Sequence, residues 1–161
     1  MIKVGDRLPD AEFRIKDGDG NVTKVTTKDY FGGKKVVLVG VPGAFTSTCH
    51  KAHIPVFVDS FDAIKAKGVD KVAVVAVNDH HVMRAWAEAQ NAVGKIDFLA
   101  DGAAAFAKAT GLVNDATAGG LGIRTHRFVM LVDDGVVKSF DQEPDNSKVT
   151  VTGAPAVLAW L

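Results

Sequence analysis

Two apolar runs constrain this chain more than anything else in it: Lys35 to Val41, KVVLVGV, and Lys71 to Val77, KVAVVAV. Neither alternates with polar residues, so each reads as a strand buried on both faces, the pattern of a parallel sheet covered by helices. Between them, Ser47 to Lys67 carries Ile54, Val58, Phe61 and Ile64 at spacings of three or four, and Gly68 follows as a C-terminal cap. Strand, helix, strand predicts a parallel βαβ crossover from Lys35 to Val77, and Pro55 should kink the helix or reset its start.

The rest of the chain adds pieces to that unit. Ala11 to Ile15 and Val22 to Thr26 read as two short strands, an N-terminal β-hairpin extension. Asn78 or Asp79 can cap a helix from His80 to Asn91, with Val82, Met83 and Trp86 facing inward. Phe98 and Leu99 make a short strand, and Asp101 caps a brief alanine-rich helix that stops near Gly111. Residues 114 to 125, NDATAGGLGIRT, hold too many glycines for regular structure and should form a surface loop. His126 to Val132 and Val136 to Phe140 predict a hairpin turning at Asp134-Gly135, and Ala154 to Leu161 a final helix opening near Pro155. The order is α/β, a thioredoxin-like arrangement with a mixed central sheet flanked by helices.

At 161 residues, with no repeat or linker, residues 1–161 are expected to form one domain. Nineteen basic residues balance nineteen acidic ones without a basic cluster, which argues against nucleic acid and anionic membrane as partners. The N-terminal residues lack the apolar stretch of a secretory signal and no run is long enough to span a bilayer, so a cytoplasmic location is expected.

Cys49 is the single cysteine, in PGAFTSTCH, so it is a core residue, a reactive thiol or one metal ligand among others. The central strand ends at Val41, Pro42-Gly43 turns the chain, and a helix starting at Ser47 or Thr48 puts Cys49 in its first turn. Free N–H groups and the helix dipole there favour a thiolate, and the Thr46 hydroxyl, three residues earlier, can donate one more bond. Ionisation alone is a weak accelerator. Lowering a thiol pKa from ~8.5 to ~6 raises the ionised fraction at pH 7 about 30-fold, and the accompanying loss of nucleophilicity takes back roughly tenfold. Fast chemistry therefore needs groups that stabilise charge moving onto a leaving oxygen, and Arg127, leading into an alternating strand, is the candidate cation; Arg124 lies close by.

These residues carry a resemblance. VPGAFTSTCHKAHIP resembles the peroxiredoxin segment Pro-x-x-x-Thr/Ser-x-x-Cys, met by Pro42, Thr46 and Cys49, and GLGIRTHRF resembles the segment supplying the family's arginine, here Arg127. VGDRLPDAEF, KGVDKVAVVAVND, VMRAWAE and FVMLVDDGVV also resemble the type II, peroxiredoxin-five-like branch. The resemblance implies a thiol peroxidase without cofactor or metal: the Cys49 thiolate attacks H2O2 or an alkyl hydroperoxide, Thr46 and Arg127 hold the peroxide, and Pro42 shields the sulfenic acid. Gly43, Phe45 and Thr48 are then expected around the substrate, and a homodimer through loops bearing Phe45, Leu121 and Ile123. Val74 and Val151 stand where some relatives carry a resolving cysteine, so the second thiol is external: glutathione with glutaredoxin, or thioredoxin. Ser47 and His50 replace a proline and a serine often seen beside the cysteine, and His50 could shift its ionisation either way.

Other readings compete. A slowly oxidised Cys49 would make a thioredoxin-like redox-sensing or binding module. A metal site could draw on His50, His53 or the distant His80 and His81, but no further ligand lies at a suitable spacing. A Cys-His hydrolase lacks a third group to orient His50 or His53, so His53 is expected as a hydrogen-bonded wall of the site. The AGGLG stretch runs into a strand, unlike a phosphate loop. Trp86 and Trp160 read as core or interface anchors.

Overall fold

In the computed structural model, which describes residues 1–161, the chain opens with the antiparallel hairpin of β1 (Glu12–Lys16) and β2 (Val22–Thr26). A short helix α1 (Thr27–Phe31) leads to β3 (Lys35–Gly40), and a helical stretch then crosses over to β4 (Lys71–Ala76). Helix α4 (His80–Ala89) follows, after the crossover segments α2 (Ile54–Asp59) and α3 (Phe61–Ala66). Then come β5 (Ile96–Ala100), α5 (Ala105–Thr110), β6 (Val113–Ala116), β7 (Gly122–Thr125), β8 (Phe128–Asp133), β9 (Val136–Gln142) and α6 (Ala154–Trp160). Seven strands form one sheet in the order β2-β1-β5-β4-β3-β8-β9, with β3, β4 and β5 parallel. The fold is the expected thioredoxin-like one, a mixed sheet between helices with an N-terminal hairpin.

Alternation along the two apolar strands explains why both lack polar residues. Val37, Val39, Val72 and Val74 face a core filled by Ile54, Phe57, Ile64, Trp86 and Val157 from α2, α3, α4 and α6. Val36, Leu38, Ala73 and Val75 face the opposite core with Phe13, Phe31, Phe106, Phe128 and Met130. Each fully buried side chain of this size contributes about 1.5–3 kcal/mol. Gly40 admits no side chain, since a Cβ there would lie 2.0 Å from the Phe128 ring, its cross-strand partner.

Several elements differ from expectation. Residues 47–66 are not one helix: after Ser47 and Thr48 the chain widens into a π-helical turn, Cys49–His53, before α2, and breaks again at Ser60. Pro55 has no N–H for the carbonyl four residues back and its ring crowds that carbonyl, and the widened turn just before it relieves both. Residues 114–125 are not an irregular loop. They lie largely in the two-stranded hairpin β6-β7 with a 3-10 turn at Thr117–Gly119, in which Gly120 and Gly122 take positive φ (82° and 71°). Helix α1 was not expected; Thr26 caps it by accepting from the Asp29 N–H. Asp79 caps α4 as predicted. Asp101 reaches α5 from three residues before its cap, accepting from Phe106 and Ala107, while Ala104 occupies the cap itself at φ 58°. No helix is long and apolar enough to cross a membrane.

Candidate functional site

Sheet register assembles the site. β8 runs antiparallel to β3 with Gly40 opposite Phe128, so the next residues, Val41 and Arg127, leave the same end of the sheet together. On the far side of β8, Phe128 pairs with Gln142 of β9, and beyond that pair the Glu143 N–H donates to the Arg127 carbonyl at 3.0 Å. The turn after β3 then starts the helix that carries Cys49 back over this end. Residues 49, 127 and 143 thus converge on one sheet edge although 78 positions separate the first two.

Arg127 Nη2 donates to Cys49 Sγ at 3.0 Å, and both residues are almost wholly buried, at 1 % and 0 % exposure. The bond is a charge-assisted one from a permanent cation. The guanidinium is held on its other edges by Nη1 to His53 Nδ1 at 2.7 Å and Nε to the Asn146 carbonyl at 2.9 Å, and the Asn146 side chain accepts from the Arg127 backbone N–H at 2.8 Å. Three of its five N–H groups are thereby used, and two remain for another acceptor.

His53 is defined by its partners. Arginine can only donate, so His53 Nδ1 accepts, and Nε2 carries the proton that it gives to the Thr152 carbonyl at 2.9 Å. Burial, and next the Arg127 charge, push its pKa down to about 4, so the ring is neutral at pH 7. It is the expected wall residue, with an added role in holding the cation.

Other expected neighbours of the sulfur lie elsewhere. The Thr46 hydroxyl donates to the Gly43 carbonyl at 2.8 Å rather than to sulfur. The free N–H groups of the first turn do not reach Sγ either; Arg127 is its one donor. Side chains leave a helix laterally, and Cys49 points into the core beside Val41 and Ile54, whereas those N–H groups point along the axis. His50 turns away as well, accepting at Nδ1 from Trp86 and lying against Gln90, with its ring stacked on Phe45 at 5.5 Å. Trp86 is a core residue.

Pro42 and Gly43 are buried, and a Cβ on Gly43 would meet Arg124 Nη1 at 2.8 Å. Arg124 donates to the Leu121 carbonyl at 2.9 Å and to the Val77 carbonyl at 3.4 Å, tying β7 to the end of β4. Phe45, at φ 62°, is 49 % exposed, and Leu121 and Ile123 are exposed too. Thr48 donates to the Ser147 carbonyl at 2.8 Å, joining the helix start to residues 144–149. Asn146, Thr152 and Glu143 could not be picked out from sequence, because hydroxyls, amides and carboxylates in an irregular C-terminal segment carry no periodic or spacing signal.

The chain matches the family model described as Redoxin over residues 3–158. It is 43% identical over 160 residues to Peroxiredoxin-2C of Oryza sativa subsp. japonica, covering 99% of this chain and 98% of the relative. Among solved structures it is similar to reduced Prx3 in complex with H2O2 from Vibrio vulnificus, with 46% identity, a TM-score of 0.93 and 99% of each chain covered. Peroxiredoxin 5 from Alvinella pompejana superposes with a TM-score of 0.86 at 33% identity, over 99% of this chain and 97% of that one.

A buried thiol facing a guanidinium on this fold defines the class, and the chain belongs to the Redoxin family. Within it the chain is a type II peroxiredoxin with a single cysteine. Peroxiredoxins are thiol-dependent peroxidases, oxidoreductases that act on hydroperoxides.

Proposed function

We propose that residues 1–161 form one peroxidase domain that reduces H2O2 and alkyl hydroperoxides through a Cys49 sulfenic acid. The Cys49 thiolate attacks the terminal oxygen; the S–O bond forms as the O–O bond breaks, and the departing oxygen takes a proton and leaves as water or alcohol. The observation that carries this reading is the 3.0 Å contact from Arg127 Nη2 to Sγ, with two guanidinium N–H groups free for the peroxide oxygens. Thr46 turns its hydroxyl toward the peroxide once substrate enters, Pro42 shields the product, and Gly43, Phe45 and Thr48 shape the entrance.

The chain has no second cysteine, so the sulfenic acid condenses with an external thiol, forming a mixed disulfide and releasing water, and a further thiol then cleaves that disulfide. Glutathione with glutaredoxin fills these roles in the proposal, with thioredoxin as the alternative donor. The exposed Phe45, Leu121 and Ile123 form the face of a homodimer. The site of action is the cytoplasm, although two relatives are named for the mitochondrion and the chloroplast.

One observation favours a second reading. Cys49 is closed off from solvent, which suits a redox-sensing module oxidised once and slowly. Turnover separates the two: with glutathione and glutaredoxin, or with thioredoxin, the peroxidase consumes many equivalents of hydroperoxide per chain. Consumption that stops at one equivalent with every donor overturns the peroxidase reading.

A further inference from the structure

Glu143 is a buried carboxylate, 2 % exposed, and no lysine or arginine pairs with it. Its partners are five donors from one short segment. Oε2 accepts from the backbone N–H groups of Thr150, Val151 and Thr152 at 2.8, 2.7 and 2.9 Å and from Thr152 Oγ1 at 2.8 Å, and Oε1 accepts from Thr150 Oγ1 at 2.6 Å. Burial would raise its pKa; the bonds from Thr150, Thr152 and Val151 outweigh that and bring it down to about 2, so it is ionised at pH 7.

Three consecutive N–H groups turned onto one oxygen fix the path of residues 150–152, and that path aims the Thr152 carbonyl at His53 Nε2. With Nε2 protonated, the Nδ1 lone pair must face Arg127 Nη1. The same residue holds Arg127 from the other side, since the Glu143 N–H donates to the Arg127 carbonyl. Main chain and side chain of the cation are thus both tied to residue 143, one directly and the other through Thr152 and His53.

We propose that Glu143 is a positioning residue for the Arg127 guanidinium, acting through the Thr152 carbonyl and the neutral His53 ring. The proposal rests on the peroxidase reading for its rate assay, and the assay separates the two. Glu143→Asp keeps the charge and withdraws the carboxylate by one carbon–carbon bond, so the three N–H groups can no longer converge on it. Misplacing a group that stabilises the transition state by a fraction of an ångström to an ångström costs about tenfold or more, and that is the expected loss in the rate of Cys49 with H2O2.

A purely structural role is removed by a double-mutant cycle. In an Arg127→Ala background Glu143→Asp should change the rate by less than about twofold, because the guanidinium through which it acts is gone. If the aspartate variant does not fold, Glu143→Gln, of nearly the same shape but unable to accept at both oxygens, takes its place in the cycle with the same expectation. Histidine 15N shifts supply a readout independent of peroxide: the parent shows His53 as the Nε2–H tautomer, and the Glu143 variant shows a mixture. An unaltered rate and tautomer in the Glu143 variant, or an equal loss with and without Arg127, overturns the proposal while leaving the peroxidase reading intact. A parent chain that does not react with H2O2 overturns the reading itself, and the tautomer then still decides whether Glu143 positions His53.

Discussion

Replacing Arg127 by lysine keeps the positive charge and removes the fork. The guanidinium places bonds on three sides at once, to Cys49 Sγ at 3.0 Å, His53 Nδ1 at 2.7 Å and the Asn146 carbonyl at 2.9 Å. An ammonium group has a single nitrogen, and a buried one cannot stand at hydrogen-bond distance from acceptors spread around a planar fork. The interaction most exposed to loss is the one aimed at the reacting sulfur and oxygens. A hydrogen bond to a charged group contributes about 1.5–3 kcal/mol, which corresponds to about tenfold to 150-fold in rate. Rapid quenching followed by titration of the one thiol measures that rate for parent and R127K at equal peroxide. The variant should be slower by about tenfold to a hundredfold, and its buried His53 Nδ1, left without a donor, should cost about 1–3 kcal/mol in urea unfolding. A variant that reacts as fast as the parent removes Arg127 from the mechanism.

Stability should rise with pH between about 4 and 6.5. His53 is neutral in the folded chain down to about pH 4 but takes up a proton near 6.5 once unfolded, so the unfolded state binds the extra proton in that window. Its contribution is complete above 6.5, is lost as pH falls toward 4, and reaches about 3 kcal/mol; urea midpoints for the parent should show this slope and His53→Gln should lack it. Glu143 acts below that window, its contribution being present above about 4.5 and lost as pH falls toward 2. Because Cys49 is enclosed, a bulky aromatic disulfide reagent should consume it far more slowly than H2O2 does, and equal rates would contradict the closed site. Gly40→Ala should destabilise the fold by about 1–3 kcal/mol in urea, since its Cβ would lie 2.0 Å from the edge of the Phe128 ring. Phe45→Glu should shift sedimentation from dimer to monomer, and a parent that stays monomeric at high concentration would rule out the proposed face.

What could be read from sequence follows from how local each signal is. The two apolar strands, the Asp134-Gly135 turn and the Asp79 cap are all specified within a few residues, and each is present. Cys49 and Arg127 meet because register at β3 and β8 carries them to one sheet end, which strand order together with the family pattern made foreseeable. The hairpin at 113–125 was hidden because its glycines mark turns and its strands are short and half polar. The burial of the thiol was hidden for a different reason: a helix start is normally wet, whereas Cys49 packs into the core with Val41 and Ile54, and residues 144–149 return to its neighbours, accepting at Ser147 from Thr48 and at Asn146 from Arg127. Nothing local encodes that return. The direction of the Thr46 hydroxyl, taken by the Gly43 carbonyl, is likewise a choice among nearby acceptors that spacing leaves open.

The most direct test of the account mixes the reduced chain with one equivalent of H2O2, traps with a sulfenic-acid reagent and reads the mass of the Cys49 peptide. The account predicts that the thiol is gone within seconds and that the trapped peptide carries the reagent at Cys49. A free thiol that survives for many minutes, with no sulfenic acid captured, would contradict it.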